Sequence, residues 1–214
     1  MKRKLYSDLI AWKNSNDRKP LILEGARQVG KTWLLAEFGR NEYRNVVYIN
    51  CDNNPFVKEL FFDFDIQRII RGFSAYSEQE INPDTTLIFI DEIQEIPQAL
   101  TSLKYFCELK ADYHVVAAGS LLGVQMHSGT GYPVGKVNSL KLYPLSFMEF
   151  LLALGKKHLV DDIQEHRWEE LSSMSAILIE LLRQYYFVGG MPAVVKATLK
   201  TKTCWQYADS RTIF

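Results

Sequence analysis

The sequence predicts an α/β domain in which helices cover both faces of a parallel β-sheet. Short, wholly apolar runs such as residues 21–23 and 87–90 are typical of strands buried on both faces, because half-buried strands alternate apolar and polar residues. Between such runs lie segments whose apolar residues recur at the spacing of an amphipathic helix. This alternation predicts a doubly wound sheet that extends to about Phe150.

Apolar runs and helical spacings predict the elements along the chain. Strands are predicted at residues 21–23, 46–49, 87–90 and 115–118. Helices are predicted at residues 5–12, 33–38, 55–70, 97–109 and 168–187.

Glycine and proline predict where several of these elements begin or end. Gly25 directly follows the first strand, and Gly39 is expected to end the second helix. Pro97 suits the first turn of its helix, where the missing N–H has no intrahelical partner to lose. Glycine and serine at residues 128–135 predict a mobile surface loop.

Two domains are predicted from the change of pattern along the chain. Residues 1–150 form the α/β core, and residues 151–214 carry helical patterns alone, which predicts a helical subdomain. The segment from Thr201 to Phe214 is polar and contains no closing element, so the chain is expected to be a piece of a longer protein.

Composition excludes disordered and fibrous proteins. The chain has 214 residues, 47% of them hydrophobic, enough to bury a sizeable core. Lysine and arginine number 25 against 25 aspartates and glutamates, so net charge gives no global attraction to nucleic acid or to an anionic membrane.

The sequence predicts a cytoplasmic protein without membrane insertion. No apolar stretch approaches the roughly 20 residues that a membrane-spanning helix needs, and the basic start at residues 1–4 is not followed by the apolar core of a signal peptide. The three cysteines, Cys51, Cys107 and Cys204, lie far apart and are expected to be reduced thiols.

A phosphate-binding loop is predicted between the first strand and the second helix. The spacing G-x-x-x-x-G-K-[ST] of a Walker A motif is met by Gly25, Ala26, Arg27, Gln28, Val29, Gly30, Lys31 and Thr32. The glycines let backbone N–H groups converge on phosphate oxygens, and the helix that follows adds its positive N-terminal end. Lys31 would supply charge at the outer phosphates and Thr32 a hydroxyl for Mg²⁺.

A second motif follows the strand at residues 87–90. Asp91 and Glu92 form a Walker B pattern, in which Asp91 would hold Mg²⁺ through water and Glu92 would polarise the attacking water. An acidic turn or helix cap is the alternative when these two acids are taken alone. Ser120, just after the strand at residues 115–118, is a candidate sensor of the γ-phosphate or the attacking water; a serine that caps or turns the chain is the alternative.

These blocks resemble the AAA+ superfamily of P-loop ATPases. More closely, the chain is similar to a prokaryotic group of AAA+ ATPases of unassigned role, in which a C-terminal domain of unknown function commonly follows the ATPase core. The blocks that carry the resemblance are residues 3–12, 25–32, 91–97, 119–120, 142–150 and 189–192. The resemblance implies a five-stranded parallel core with a helical lid, a strand at residues 138–143, ATP bound between core and lid, a lid cut short at Phe214, and a missing C-terminal domain.

The sequence departs from this group at one position. Members often carry Gly-Arg shortly before the Leu-Tyr-Pro-Leu-Ser block, a source of a cationic finger, whereas this chain has Gly135 and Lys136. Lysine is a point charge without the planar fork of arginine, so it is a poorer group for holding developing phosphate charge. The other candidates, Arg27, Arg68 and Arg71, are expected to be solvated or ion-paired surface residues.

The resulting hypothesis is an ATPase that uses ATP and Mg²⁺, with Lys31, Glu92 and Ser120 as catalytic candidates and Thr32 and Asp91 at the metal. Hydrolysis would drive the lid against the core. The alternative is an ATP-gated binding or scaffold module with negligible turnover. A small-molecule kinase would need an acceptor pocket and an arginine-rich lid, which the sequence does not indicate. Expected partners are ATP, a second copy of the chain, and a protein or DNA target that the sequence does not identify.

Overall fold

The fold contains a five-stranded parallel β-sheet. The structure is a computed structural model that describes residues 2–110, 112–120 and 133–200. Its strands are β1 (Leu21–Glu24), β2 (Asn45–Asn50), β3 (Thr86–Asp91), β4 (His114–Gly119) and β5 (Asn138–Lys141). They lie in the order β2-β3-β4-β1-β5, and every pairing is parallel. The predicted α/β class and the four strands predicted from apolar runs are confirmed, and β5 lies where the resemblance implied a strand.

Helices surround the sheet and continue beyond it. In the α/β part they are α1 (Tyr6–Lys13), α2 (Lys31–Glu42), α3 (Pro55–Leu60), α4 (Ile66–Ser77) and α5 (Pro97–Leu109), with a 3₁₀-helix at Ile93–Glu95. After β5 come α6 (Phe147–Ala153), α7 (Lys157–Gln164), α8 (Trp168–Ser173), α9 (Ser175–Val188) and α10 (Pro192–Lys200).

Three predicted elements differ from the structure. Helix α2 does not end at Gly39 but runs on to Glu42. Gly39 lets the helix lie close to Val46 of β2, since a Cβ at this position would lie 2.7 Å from Cγ2 of Val46. The helix predicted at residues 55–70 is two helices, since the side chain of Asp65 accepts a hydrogen bond from Arg68 N and starts α4 anew. The helix predicted at residues 168–187 is likewise divided, at Met174.

The predicted mobile loop at residues 128–135 lies mostly outside the described residues. The sheet itself is buried: every residue of β3 and β4 is buried, as the apolar runs predicted. Only β5, at the edge, alternates between half-buried and exposed residues. Because Leu140 is the one apolar residue of β5, the strand has neither an apolar run nor a clear alternation, and periodicity did not identify it.

The chain divides into two compact units. The α/β unit comprises residues 5–142, and the helical unit comprises residues 2–4 and 143–200 of the described chain. The boundary predicted after Phe150 therefore falls inside the helical unit. The reason is that α6 packs within that unit, where Leu151 shares an apolar cluster with Leu159, Val160 and Leu181.

The helical unit is joined by contacts between segments far apart in sequence. Leu145 N donates to Gly190 O at 2.7 Å, and the hydroxyl of Tyr185 donates to Leu145 O at 2.8 Å. Arg3 and Glu149 form an ion pair of 3.0 Å with both side chains nearly buried. Glu149 also accepts from Ser146 N and from Lys4 N, each at 2.9 Å.

We expect Glu149→Ala to destabilise the helical unit strongly. The change leaves the buried Arg3 guanidinium without its carboxylate and removes the capping box with Ser146 that begins α6. Removing one partner of a buried pair costs about 3–5 kcal/mol of unfolding free energy, which urea denaturation measures. In the control Glu165→Ala, an exposed pair with Arg167 is lost, and the change should be below about 1 kcal/mol. Equal effects of the two variants would contradict this account.

His114 forms a buried polar contact in the α/β unit. Its Nδ1 and the hydroxyl of Tyr43 share a hydrogen bond of 2.6 Å. Burial, and after it the positive charges of Arg18 and Lys13, lowers the pKa of His114 to about 4. The imidazole is therefore neutral at physiological pH, and its ring packs edge-on against the rings of Trp12 and Tyr43.

This buried histidine predicts an acid-sensitive stability. Because the pKa of His114 is lower in the folded than in the unfolded chain, its contribution is fully present above about pH 6.5 and is lost as the pH falls toward 4. The loss should reach about 3 kcal/mol at pH 4. The measurement is the unfolding free energy of the wild type against that of His114→Gln between pH 7 and 4. Parallel pH curves for the two proteins would exclude His114 as the cause.

Candidate functional site

Three neighbouring strands end at one edge of the sheet, and each delivers residues that the sequence singled out. β3, β4 and β1 are adjacent and parallel, so their carboxyl ends lie together. Gly25 follows β1, Asp91 is the last residue of β3, and Ser120 follows β4. The carboxyl ends of strands in open α/β sheets are where ligands bind.

The loop between β1 and α2 is shaped by close backbone contacts. Gly25 has φ +154°, and a Cβ there would lie 2.3 Å from the carbonyl oxygen of Leu142, so no larger residue fits. Leu142 N donates to Glu24 O at 2.8 Å, which holds the chain after β5 against the loop. Val29 is buried, whereas Ala26, Arg27 and Gln28 are exposed. The loop therefore presents its tip to solvent while its base is fixed by the sheet.

Lys31 lies at the start of α2 with its side chain folded under the loop. Its Nζ donates to the carbonyl oxygens of Gly25 and Ala26, both at 2.9 Å, and the residue is 7% exposed. Burial lowers its pKa, and the nearby carboxylates of Glu92 and Asp91 oppose that shift. The ammonium thus lies within the electrostatic reach of both acids of the second motif.

Asp91 is buried and held on both carboxylate oxygens. Oδ2 accepts from the hydroxyl of Tyr48 at 3.0 Å, and Oδ1 accepts from Glu92 N at 3.0 Å. Burial and the Asp91 charge both raise the pKa of Tyr48, so the phenol remains a donor. Cys51 N donates to Asp91 O at 3.0 Å, and burial followed by the Asp91 charge raises the pKa of the Cys51 thiol to about 12.

Glu92 stands at a bend in the backbone. It has φ +50° and ψ +43°, a left-handed conformation uncommon for a residue with a side chain, and it precedes the 3₁₀-helix. Its Oε2 accepts from Nε2 of Gln94 at 2.6 Å. Strained backbone of this kind concentrates at functional sites, in keeping with the role predicted for Glu92.

Ser120 contributes a buried hydroxyl. The residue is 2% exposed, and its Oγ has no hydrogen-bond partner among the described residues. Its backbone N–H donates to Oε1 of Gln94 at 3.3 Å. A buried hydroxyl without a partner costs free energy unless a bound group satisfies it.

A cleft of about 580 Å³ opens at this edge. Its lining residues are Arg27, Gln28, Gly30, Lys31, Thr32, Trp33, Asp52, Glu92 and Glu95. The loop and Glu92 are therefore brought together, with Thr32 exposed at the cleft and Asp91 buried beneath it.

Three cleft residues were missed by sequence reasoning. Trp33 was assigned to an apolar helical stripe, yet it is 47% exposed and lines the cleft. Asp52 lies two residues after the end of β2, and this nearness to the carboxyl end of a strand is a signal that could have identified it. Glu95 had no signal beyond its nearness to Glu92.

The candidate cationic finger is paired elsewhere. Lys136 Nζ lies 3.0 Å from Oε1 of Glu108 on α5, and this hydrogen bond raises the pKa of Lys136. Arg68 pairs with Asp63 at 2.6 Å, as a surface arginine was expected to do, and Arg71 is exposed. Arg27 lies exposed at the cleft.

In the described part of the chain, no helix combines the length and the apolar character needed to cross a lipid bilayer.

We expect Tyr48→Phe to weaken divalent-metal binding at this edge. The phenol fixes Oδ2 of Asp91, and loss of such a partner to a ligand carboxylate typically costs about 10–100-fold in metal affinity. Mn²⁺ titration followed by electron paramagnetic resonance in the presence of nucleotide measures this. Tyr76→Phe is the matched control, since that hydroxyl accepts from Asn54 Nδ2 away from the acids. Unchanged Mn²⁺ affinity in Tyr48→Phe would show that Asp91 does not need this contact.

Comparison with known proteins places the chain in a family. A family model described as an AAA domain matches residues 17–151. A curated protein of Haemophilus influenzae, itself described as uncharacterized, is 25% identical over 199 residues. The alignment covers 88% of this chain and 43% of the relative, so the chain spans less than half of that relative's length.

Among solved structures, the Orc1 protein of Aeropyrum pernix in complex with DNA aligns with 78% of this chain and 48% of its own length, at 17% identity and a TM-score of 0.40. This structural similarity is too weak to carry an assignment. The family assignment therefore rests on the sequence match, and the description of the fold rests on the sheet topology. The matched segment covers more than half of the chain and contains the loop, Asp91, Glu92 and Ser120. The chain therefore belongs to the AAA domain family of the AAA+ P-loop ATPases.

Proposed function

We propose that the chain binds ATP with Mg²⁺ at the carboxyl edge of the sheet and hydrolyses it. The observation that carries the proposal is the adjacency of β3, β4 and β1: the loop of residues 25–32 and Glu92 line one cleft, and Asp91 and Ser120, which do not line it, lie at the carboxyl ends of β3 and β4. Family membership supports nucleotide binding in general, whereas hydrolysis, the metal and the residue roles are part of the proposal.

The residues at the cleft fit a magnesium nucleotide. The loop offers backbone N–H groups beside the N-terminal end of α2, an arrangement that suits phosphate oxygens. Ser120 Oγ is a buried polar atom that a bound group would satisfy. Thr32 and Asp91 offer the hard oxygen ligands that Mg²⁺ prefers, and the ion would supply positive charge at the outer phosphates.

Each residue has a distinct part in the proposed reaction. Lys31 neutralises negative charge on the β- and γ-phosphates. Glu92 accepts a proton from the attacking water. The oxygen of this water bonds to the γ-phosphorus as the bond from that phosphorus to the bridging oxygen breaks, and the products are ADP and phosphate. Ser120 would orient the water or the γ-phosphate with its hydroxyl. Gly25, Ala26, Arg27, Gln28, Val29 and Gly30 form the cradle.

An ATP-gated binding or scaffold module is the second candidate. The observation that favours it is the ion pair of Lys136 with Glu108. Lys136 stands at the position expected for the cationic finger, and its partner Glu108 belongs to the same unit. Without a cation that holds developing phosphate charge, turnover is slow, since such a group is worth about 10³–10⁵ in rate. A finger supplied by a second copy of the chain or by another protein would restore it.

The predictions about the partners, the location and the movements of the protein stay predictions. They concern a homo-oligomer, a protein or DNA target, a cytoplasmic location, and a conformational change of the helical unit driven by nucleotide state. The division of labour between residues 1–150 as nucleotide-binding core and residues 151–214 as lid is a proposal of the same kind.

We expect Lys31→Ala and Glu92→Gln to separate binding from hydrolysis. Lys31→Ala removes the charge under the loop and should abolish ATP binding, measured by calorimetry. Glu92→Gln keeps the size of the side chain but removes the base, so ATP binding should persist while phosphate release falls by about 10²–10⁴-fold.

The matched control is Glu80→Gln, since that glutamate is exposed and does not line the cleft. It should retain most of the wild-type rate. Wild type that binds ATP without phosphate release at any protein concentration would favour the scaffold function, and absence of ATP binding would exclude both.

A further inference from the structure

Gln94 lies at the centre of the hydrogen bonds that surround Glu92. It belongs to the 3₁₀-helix Ile93–Glu95, directly after the two acids, and only 8% of it is exposed. Its Nε2 donates to Oε2 of Glu92 at 2.6 Å and to Oε1 of Glu95 at 3.2 Å. Its Oε1 accepts from Ser120 N at 3.3 Å.

These three contacts fix the orientation of the amide. The two hydrogens on Nε2 have two carboxylates as acceptors, and Oε1 has a backbone N–H as donor. Rotating the amide by 180° would set an oxygen against two carboxylates and an N–H₂ group against an N–H group. The environment therefore allows one orientation, in which the donor faces Glu92.

The same side chain joins two strand ends. Glu92 follows β3, and Ser120 follows the neighbouring strand β4. Through one amide, the carboxylate of Glu92 is tied to the backbone N–H of Ser120, whose hydroxyl has no partner among the residues that the structure describes. A change in the position of Ser120 would shift Gln94 and with it the carboxylate.

We propose that Gln94 is a positioning residue that aims the Glu92 carboxylate and couples it to the end of β4 at Ser120. The proposal rests on the proposed function, because it assigns Gln94 a part in the same reaction. Gln94 acts through Glu92 and not on the substrate, so its removal affects the rate of hydrolysis and leaves ATP affinity unchanged.

Two substitutions of Gln94 test this. Gln94→Met keeps the length and volume of the side chain and removes all three hydrogen bonds. Gln94→Glu keeps an oxygen acceptor for Ser120 N and replaces the donor that faces Glu92 with a second carboxylate. Both variants should lower kcat by about tenfold to a hundredfold, which is the cost of a misplaced catalytic group. The dissociation constant of ATP should stay within about twofold of the wild-type value, because none of the three hydrogen bonds of Gln94 goes to the phosphate loop.

Gln98→Met is the matched control, since Gln98 is exposed at the start of α5 and lines a different cleft. It should keep the wild-type kcat. Thermal denaturation of each variant shows whether the fold is retained. If Gln94→Met does not fold, the comparison is decided on Gln94→Glu, which preserves the shape and the contact to Ser120.

A double variant distinguishes positioning from a general structural effect. If Gln94 acts through Glu92, Gln94→Met should cost no further rate in a Glu92→Gln background, so the two losses are not additive. Additive losses, or a kcat of Gln94→Met equal to wild type, would overturn the positioning role and leave the ATPase proposal standing. Absence of phosphate release by the wild type itself would overturn both.

Discussion

The α/β unit depends on the parallel pairing of β1 with two neighbours at once. β1 pairs with β4 on one side and β5 on the other, with Ile22 opposite both Ala117 and Ser139. The strand is too short to be stable alone, and its first three residues are buried on both faces. Since the loop of residues 25–32 begins where β1 ends, this pairing sets the position of its first residue.

The same register determines the distances between the functional groups. β4 lies between β1 and β3, so Ser120 stands between the loop and the two acids. Leu142 adds a constraint from β5, because its N–H binds Glu24 and its carbonyl excludes a side chain at Gly25. The carboxyl ends of the strands are thus held in place on both sides of the loop. This reduces the reorganisation needed for ligand binding.

Sequence patterns sufficed for features that depend on local physics. Runs such as residues 87–90 are buried because the strand has neighbours on both faces, and the spacing of Gly25, Gly30, Lys31 and Thr32 is a local requirement of backbone geometry. β5 was not visible to periodicity because Leu140 is its one apolar residue, and the continuation of α2 past Gly39 depends on its packing against Val46. The position of Trp33 at the cleft and the hydrogen bond of Gln94 to Ser120 could not be predicted. Both depend on how separate elements pack together, which no spacing along the chain encodes.

The helical unit shows a similar dependence on distant contacts: Leu145 meets Gly190, and Arg3 meets Glu149. The blocks at residues 142–150 and 189–192, which made the resemblance so particular, therefore hold the helices together.

The burial of Cys51 has a consequence for redox chemistry. The thiol lies one residue past β2, bound through its backbone to Asp91, and its pKa near 12 leaves almost no thiolate at neutral pH. Thiolate is the form that peroxide and alkylating reagents attack. The buried Cys51 thiol is thus a poor nucleophile and behaves as a small apolar side chain, so oxidants and alkylating reagents would react slowly at this position.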